Sequence, residues 1–455
     1  MANTQSYLKR TMIIGVLVGI LGISCSTQYR ISRVSNRFLL NDSVLKSAHI
    51  GIAIQDANNS KYLYKYQGDH FFVPASNTKI FSCYAGMKYL GAQLPGIKYA
   101  NTADGLVLQP TGDPTLLHPD YKNQPVIDFL KKQSQPLSIL HHPWKTTALG
   151  MGWSWDDYNE DYMPERSALP VYGNVIRWVR DMDTSARENL QDISSPAVSF
   201  YAAPEVNFPV KFLNDTLSKR FHVQRDLGQN IFTITEGKEK HKELDVPFVT
   251  QGIQTALALL KDTIARDIKL LEKIPATSLT YTTVYSQPTD AVLKPMMHRS
   301  DNFFAEQILL MASAEKLGIF DEHKMMRHIL KVDLAGLPQQ PTWADGSGLS
   351  RFNLFTPDDF VFLLGQMQQE FGMQRIQEIF ETGNSGTLAG LYKNEVGAIY
   401  AKTGTLTGVV ALSGYLTTKK GKQLIFSVLV NNHTGRAAAV RKQLEKFLVA
   451  VREKY

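Results

Sequence analysis

Apolar residues along this chain recur with two periods, and the changes between them mark its elements. From His49 to Gln55, Ile50, Ile52 and Ile54 fall on one face, which is strand periodicity. Asp56-Ala57-Asn58-Asn59-Ser60 is a cluster of turn formers, and alternation resumes from Lys61 to Tyr66. Together they predict a β-hairpin. Pro74-Ala75-Ser76 then opens a segment with Ile80, Cys83, Tyr84, Met87 and Leu90 at helical spacing. Ser76 therefore falls at a helix N-terminus, just after a strand. Between 96 and 280 the texture changes to aromatics, Pro, Gly and short alternating runs such as Phe232-Thr233-Ile234-Thr235. That stretch predicts a largely β insertion, with a helix over Val249 to Ile264. From 281 the pattern is compact again. Asp290 to Leu317 reads as helical around a central motif, and Val396 to Val410 as strand-like with Gly397, Gly404 and Gly408 inside it. Ala411 to Leu416 and Leu424 to Val430 flank the turn Lys419-Lys420-Gly421-Lys422. Arg436 to Tyr455 spaces Val440, Leu444, Phe447, Leu448 and Val451 as a helix does. Residues 46–95 and 281–455 thus form one α/β (α+β) domain, interrupted by an insertion at 96–280.

Composition bounds this picture. A length of 455 residues predicts about three domains, or one large domain with insertions. Forty-four per cent hydrophobic and 20 % charged residues make a globular chain with a real core. The net charge of +7 suits an anionic setting such as a cell envelope. It is not gathered into a long basic run, so no nucleic-acid partner is expected. At the N-terminus, Lys9 and Arg10 precede the uncharged stretch Met12 to Ser24, which ends at Cys25. A basic region, an apolar stretch and small residues describe a signal peptide over 1–25. As a helix the stretch reaches roughly 20 Å, short of the roughly 30 Å hydrocarbon core. Residues 26–45 are polar and mixed and read as a tether. If Cys25 is cut off or modified, Cys83 has no disulfide partner. Its expected role is that of a small buried hydrophobe.

Leu21-Gly22-Ile23-Ser24-Cys25 resembles the lipobox of bacterial lipoproteins. The resemblance implies lipidation of Cys25 and a membrane anchor.

Three short motifs carry the chemistry: Ser76-Asn77-Thr78-Lys79, Ser300-Asp301-Asn302 and Lys402-Thr403-Gly404, the last followed by Thr405. A serine hydroxyl is a poor nucleophile until a base takes its proton. Positions i and i+3 share a helix face, so Lys79 reaches the Ser76 oxygen. A desolvated lysine near other cations can be neutral and serve as that base. A helix N-terminus offers its free N–H groups to a developing oxyanion. Ser300 is expected to relay a proton to the leaving amine and Asn302 to hold a substrate amide. Lys402, Thr403 and Thr405 suit a carboxylate, and Gly404 allows close approach to their strand. The same S-x-x-K spacing recurs at Ser6, Ser43 and Ser313, but none of these follows a strand and opens a helix. Each motif alone is weak. All three in order, each on the element its chemistry needs, are not.

This trio is that of penicillin-binding proteins and class A β-lactamases. The chain resembles the D-alanyl-D-alanine carboxypeptidase/endopeptidase family of class C low-molecular-mass penicillin-binding proteins, peptidase family S13. Thr111-Gly112-Asp113-Pro114-Thr115-Leu116, Gly152-Trp153-Ser154-Trp155-Asp156-Asp157 and Asp345-Gly346-Ser347-Gly348-Leu349-Ser350-Arg351 are similar to further segments of that family, as is the long gap from Ser76 to Ser300. The resemblance implies an antiparallel sheet flanked by helices, with inserted domains after the nucleophile helix. It implies Ser76 as acylated nucleophile, Lys79 as base, and Ser300 and Asn302 as the second-motif pair. Lys402, Thr403, Gly404 and Thr405 would form the carboxylate-binding strand, the Thr405 amide completing the oxyanion hole. Asp156 or Asp157, with Arg351, would hold the free end of the stem-peptide diamino acid. The implied partners are peptidoglycan stem peptides and, as covalent inhibitors, β-lactams.

Three other readings stand beside it, one of them a structural envelope lipoprotein whose motifs are accidental. A serine β-lactamase needs a dedicated base for deacylation, and no Glu-x-x-Leu-Asn segment lies between Ser76 and Ser300. A catalytically silent penicillin-sensing or wall-binding module would typically have lost one of Lys79, Ser300 and Lys402. No metal or organic cofactor is implied, because no His/Cys/carboxylate cluster stands at ligand spacing.

Overall fold

The computed structural model describes residues 28–140, 143–182, 198–213, 218–271 and 279–455. The signal-peptide segment and Cys25 lie outside these residues. The central element is a six-stranded sheet in the order Glu381–Thr382, Ile399–Leu406, Val409–Thr417, Gln423–Asn431, His49–Asp56, Tyr62–Tyr66. Every neighbouring pair is antiparallel. The N-terminal hairpin thus pairs with the C-terminal strands, Ile50 opposite Val430 and Ile54 opposite Phe426.

Both faces of this sheet are covered, so its strands read as nearly continuous apolar runs. On one face, Ile50, Ile52, Ile54, Val410, Leu412, Phe426, Val428 and Val430 pack against Val440, Leu444, Phe447, Leu448 and Val451. Those five are the buried residues of the helix Ala437–Lys454, as the sequence spacing predicts. On the other face, Ala53, Ala411, Tyr415, Ile425 and Leu429 join the nucleophile helix Lys79–Tyr89 and the helix Pro357–Phe371 in a second core. Cys83 lies in that core, free and fully buried.

Residues 28–45 correct the expectation of a tether. Residues 28–35 are helical, and a short turn of wider helix continues over Asn36–Leu40. Ile31, Val34, Leu39 and Leu45 are buried in the same cluster as the C-terminal helix. Their spacing forms a narrow apolar stripe, which is enough to dock a helix although the composition around it is polar.

The insertion is β-rich. A five-stranded mixed sheet runs Ile268–Leu271, Leu137–Leu140, Gly105–Pro110, Gln93–Thr102, Thr282–Pro288. Two three-stranded sheets lie beyond it. The expected helix at 249–264 starts only at Gln254, because Gln251 and Gly252 turn the chain with φ of 48° and 74°. The strand expected over 396–410 is instead a hairpin: Leu406 pairs with Val409 across Thr407-Gly408.

One helix joins insertion and core. Asn302–Leu317 is buried from Phe303 to Ala314. Its Phe304, Ile308 and Leu309 enter the peptidase core, while Leu310 and Ala314 enter the core of the insertion. A helix buried on every side needs cover on every side, and the insertion supplies part of it.

Ile31→Ala should destabilise the chain by about 2–5 kcal/mol in a denaturant melt, as for other core truncations. The exposed neighbour Arg33→Ala should shift it by less than about 0.5 kcal/mol. Equal small shifts would mean that the segment is not docked.

Candidate active site

The residue before the nucleophile, Ala75, has φ of 48°. It opens a tight turn, Ala75–Thr78, that runs into the helix Lys79–Tyr89. The turn is fastened on two sides. Asn77 Nδ2 donates to Ser413 Oγ at 2.7 Å, and Ser413 donates to Ser427 at 2.8 Å. A Cβ on Gly404 would stand 2.5 Å from the Pro74 carbonyl oxygen and 3.1 Å from the Asn77 nitrogen. The close approach that Gly404 permits is therefore first of all to the protein's own backbone, the turn that carries Ser76. Gly348 plays the same part on the opposite side, where a Cβ would stand 1.9 Å from the Ala75 oxygen.

The second motif occupies the break between the helices Thr289–His298 and Asn302–Leu317. Ser300 has φ of 60°, an unfavourable conformation for a residue with a Cβ and one that recurs at functional sites. Asp301 caps the following helix, accepting from the Phe304 amide at 3.0 Å, which fixes its first turn. Asn302 then faces inward.

These elements converge on the amine of Lys79. Its Nζ lies 3.1 Å from Ser76 Oγ, 2.6 Å from Asn302 Oδ1 and 2.7 Å from the Ser347 carbonyl oxygen. Two of these partners can only accept. A neutral amine has two N–H donors and one lone pair, so donating to Asn302 and Ser347 leaves the lone pair facing the Ser76 hydroxyl. Lys79 is fully buried. Burial, and then the charge of Lys402, pull its pKa down to about 7. The neutral form is accessible, as a base for Ser76 requires.

Ser347 is held from beneath by residues that sequence reading passed over. Glu306 Oε1 accepts from the Ser347 amide at 2.7 Å, and Glu306 Oε2 faces Arg166 Nη1 at 3.3 Å. Arg166 also reaches Glu322 at 3.0 Å, and all three side chains are buried. Burial and then the charge of Asp345 raise Glu306 to about 7, against Arg166. Asp345 organises the Gly-Ser-Gly run, accepting from the Gly348 amide at 2.8 Å, the Ser350 amide at 2.6 Å and Asn353 Nδ2 at 2.7 Å. Trp153 Nε1 donates to Asp345 at 2.9 Å, which ties the tryptophan-aspartate segment to the same loop. The one available sequence signal was that Glu306 stands four residues after Asn302, on the same helix face.

On the third-motif strand, Lys402 is fully buried. Its Nζ donates to the Thr403 carbonyl at 3.0 Å. Burial lowers its pKa to about 8, partly opposed by the charge of Glu381 and reinforced by Arg441. Thr403 Oγ1 hydrogen-bonds Thr387, which donates to the buried Glu381. Thr405 Oγ1 accepts from Arg441 Nη2 at 2.5 Å.

The structure separates the two aspartates. Asp156 is exposed and accepts from Ser154 at 2.7 Å. Asp157 accepts from the Tyr162 hydroxyl, and the Tyr162 carbonyl accepts from Asn302 Nδ2 at 2.9 Å, so only Asp157 is linked to the second motif. Trp155 projects into solvent at 73 % exposure, whereas Trp153 is partly buried over Arg166. Arg351 is exposed and donates to the Thr407 carbonyl at 2.8 Å, at the tip of the third-motif hairpin. A cavity of about 680 Å³ opens beside Ser300 and Asn302, lined by insertion residues including Asp120, Asp161, Tyr162 and Arg177.

Residues 36–451 match the profile of the D-Ala-D-Ala carboxypeptidase 3 (S13) family. The chain is 27 % identical to a D-alanyl-D-alanine carboxypeptidase of Actinomadura sp., covering 88 % of this chain and 80 % of that protein. It is 23 % identical to the D-alanyl-D-alanine carboxypeptidase DacB of Haemophilus influenzae, covering 87 % and 88 %. In fold it resembles the crystal structure of penicillin binding protein 4 of Haemophilus influenzae, with a TM-score of 0.69, 22 % identity and coverage of 92 % and 97 %.

The two lysines set a pH window. Neutral Lys79 accumulates as pH rises through about 7, and charged Lys402 is lost as pH rises through about 8. The acylation rate of Ser76 by a carboxylate-bearing substrate should therefore be bell-shaped, rising near 7 and falling near 8. A substrate lacking the carboxylate should keep the acid limb and lose most of the alkaline one. An alkaline limb of equal depth for both would detach Lys402 from the carboxylate.

Proposed function

From the premise that the chain belongs to the D-Ala-D-Ala carboxypeptidase 3 (S13) family, we propose that it hydrolyses D-alanyl peptide bonds of peptidoglycan through an acyl-enzyme on Ser76. As a serine-type DD-peptidase it uses one base twice. The observation that carries the residue assignment is the Lys79 amine, held by two acceptors and facing the Ser76 oxygen at 3.1 Å.

The steps follow from that geometry. Ser76 Oγ attacks the carbonyl of the penultimate D-alanine while its proton passes to Lys79. The oxyanion is received by the Ser76 and Thr405 amides. The tetrahedral adduct collapses, the C–N bond breaks, and a proton reaches the leaving amine through Ser300. Water then attacks the ester, again losing its proton to Lys79, and Ser76 recovers its hydrogen as the acid departs. With a β-lactam the leaving amine stays tethered to the acyl group. Lys402 and the Thr403 and Thr405 hydroxyls bind the carboxylate next to the scissile bond. Asp157 and Arg351 hold the far end of the stem peptide. The cavity beside Ser300 and Asn302, walled by the insertion, supports a substrate longer than a dipeptide.

The proposal extends to location. Lys9, Arg10, the stretch Met12 to Ser24 and Cys25 support export to the periplasm or cell envelope and lipid anchoring through Cys25. With residues 28–35 already helical and docked through Ile31 and Val34, such an anchor would hold the catalytic domain close to the membrane.

Purified muropeptides incubated with a soluble form starting at Ser26 should lose one alanine from pentapeptides, or split cross-linked dimers, by mass spectrometry. Ser76→Ala should do neither. Unchanged muropeptides with the active protein would instead favour the silent sensing module. For location, Cys25→Ser should move the full-length protein from the membrane to the soluble fraction of the envelope; retention on the membrane would rule out lipid anchoring at Cys25.

A further inference from the structure

The C-terminal helix Ala437–Lys454 packs its apolar face on the sheet, and Arg441 lies on its first turns beside that face. Its Nη2 donates to Thr405 Oγ1 at 2.5 Å. Its Nε is shut off from solvent and has no hydrogen-bond partner. Among the described residues, no carboxylate lies within 4 Å of its guanidinium. A half-buried guanidinium is ordinarily paired, because a desolvated charge without a partner is unfavourable.

The neighbouring cation has the same deficit. Lys402 Nζ is bonded to a backbone carbonyl only. The nearest acidic influence on it, Glu381, already accepts from the Thr387 amide and hydroxyl. Arg441 is close enough for its charge to disfavour protonation of Lys402. Lys402 and Arg441 are thus near enough for one charge to act on the other, and among the described residues neither has a carboxylate within 4 Å. Thr403 and Thr405, two apart, project from the same face of that strand. Because the Thr405 oxygen accepts from Arg441, its own hydrogen is free to be donated outward.

We infer that Arg441 is part of the anion subsite: with Lys402, Thr403 and Thr405 it recognises the carboxylate on the carbon next to the leaving nitrogen of the substrate. This rests on the peptidase reading above and adds to it a residue from outside the three motifs. A planar guanidinium offers paired N–H donors matched to a carboxylate, and by orienting the Thr405 hydroxyl it recruits a third donor. The expected consequence is specificity: a substrate whose terminal carboxylate is capped loses this recognition.

The test compares full-length protein, Arg441→Gln and Arg441→Lys on a D-Ala-D-Ala-terminated peptide and on its C-terminal amide. Thermal melts of all three establish that the variants are folded. For Arg441→Gln, KM for the free-acid peptide should rise about ten- to hundredfold, as expected for loss of a charge-assisted hydrogen bond, with kcat within about threefold, and with no change for the amide. Arg441→Lys should fall between, since it keeps the charge and loses the fork. Equal losses on both substrates would make Arg441 a strut for the Thr405 strand; no loss on either would remove it from the site. Ser76 acylation by benzylpenicillin against its methyl ester gives a second readout of the same preference. If neither peptide is cleaved by the unmodified protein but Ser76 still takes up penicillin, the peptidase reading fails. The carboxylate preference is then decided by that acid-to-ester ratio: a ratio that falls in Arg441→Gln supports the inference, and an unchanged ratio overturns it.

Discussion

Most of the site depends on one buried amine being kept out of water. Lys79 sits where solvent cannot stabilise its charge, and a second lysine repels its proton. Its two acceptors, Asn302 and the Ser347 carbonyl, come from different parts of the chain. Each acceptor is itself immobilised: Asn302 by the capped helix that starts with it, Ser347 by the buried Glu306. A charged ammonium could use the Ser76 oxygen as its third acceptor, so it is burial and the charge of Lys402 that bring the neutral form within reach. Desolvation, rather than hydrogen-bond count, therefore sets the protonation state.

That arrangement requires backbones closer together than side chains allow. The turn before Ser76 is pressed between Gly404 on the sheet side and Gly348 on the loop side. The strain shows in Ala75 and Ser300, both with left-handed φ. Such conformations persist only where the surroundings over-determine them. Here the sheet, the loop and two helices do so. The antiparallel sheet supplies rigidity because both of its faces are buried.

The insertion is part of the same machinery. Arg166 and Trp153, both in the insertion, contact Glu306 and Asp345, which sit directly under the loop that holds Lys79. The shared helix Asn302–Leu317 is buried by both bodies. A buried ion network with one member removed would leave an uncompensated charge, so the insertion contributes to positioning the base as well as to walling the cavity.

What the sequence determined by itself was the local chemistry and much of the framework. Period-two runs such as Ile50, Ile52 and Ile54 and the helical stripe Val440 to Val451 were legible because burial imposes those periods. The three motifs were legible because S-x-x-K on a helix encodes its own contact, three residues apart. The docked helix at 28–40 was not legible, its stripe being thin among polar residues. Glu306 and Arg441 were not legible as site residues at all, and Asp345 and Ser347 only as members of a segment similar to the family's. Glu306, Ser347 and Arg441 act on partners far along the chain, Glu306 on Ser347, Ser347 on Lys79 and Arg441 on Thr405, and no local pattern announces a contact across such a gap. Asp156 and Asp157 have identical chemistry in sequence and differ only in what they face, Ser154 for one and the Tyr162 hydroxyl for the other. Sequence spacing records contacts that lie within one element; contacts between elements exist only once the sheet, the loop and the insertion have packed.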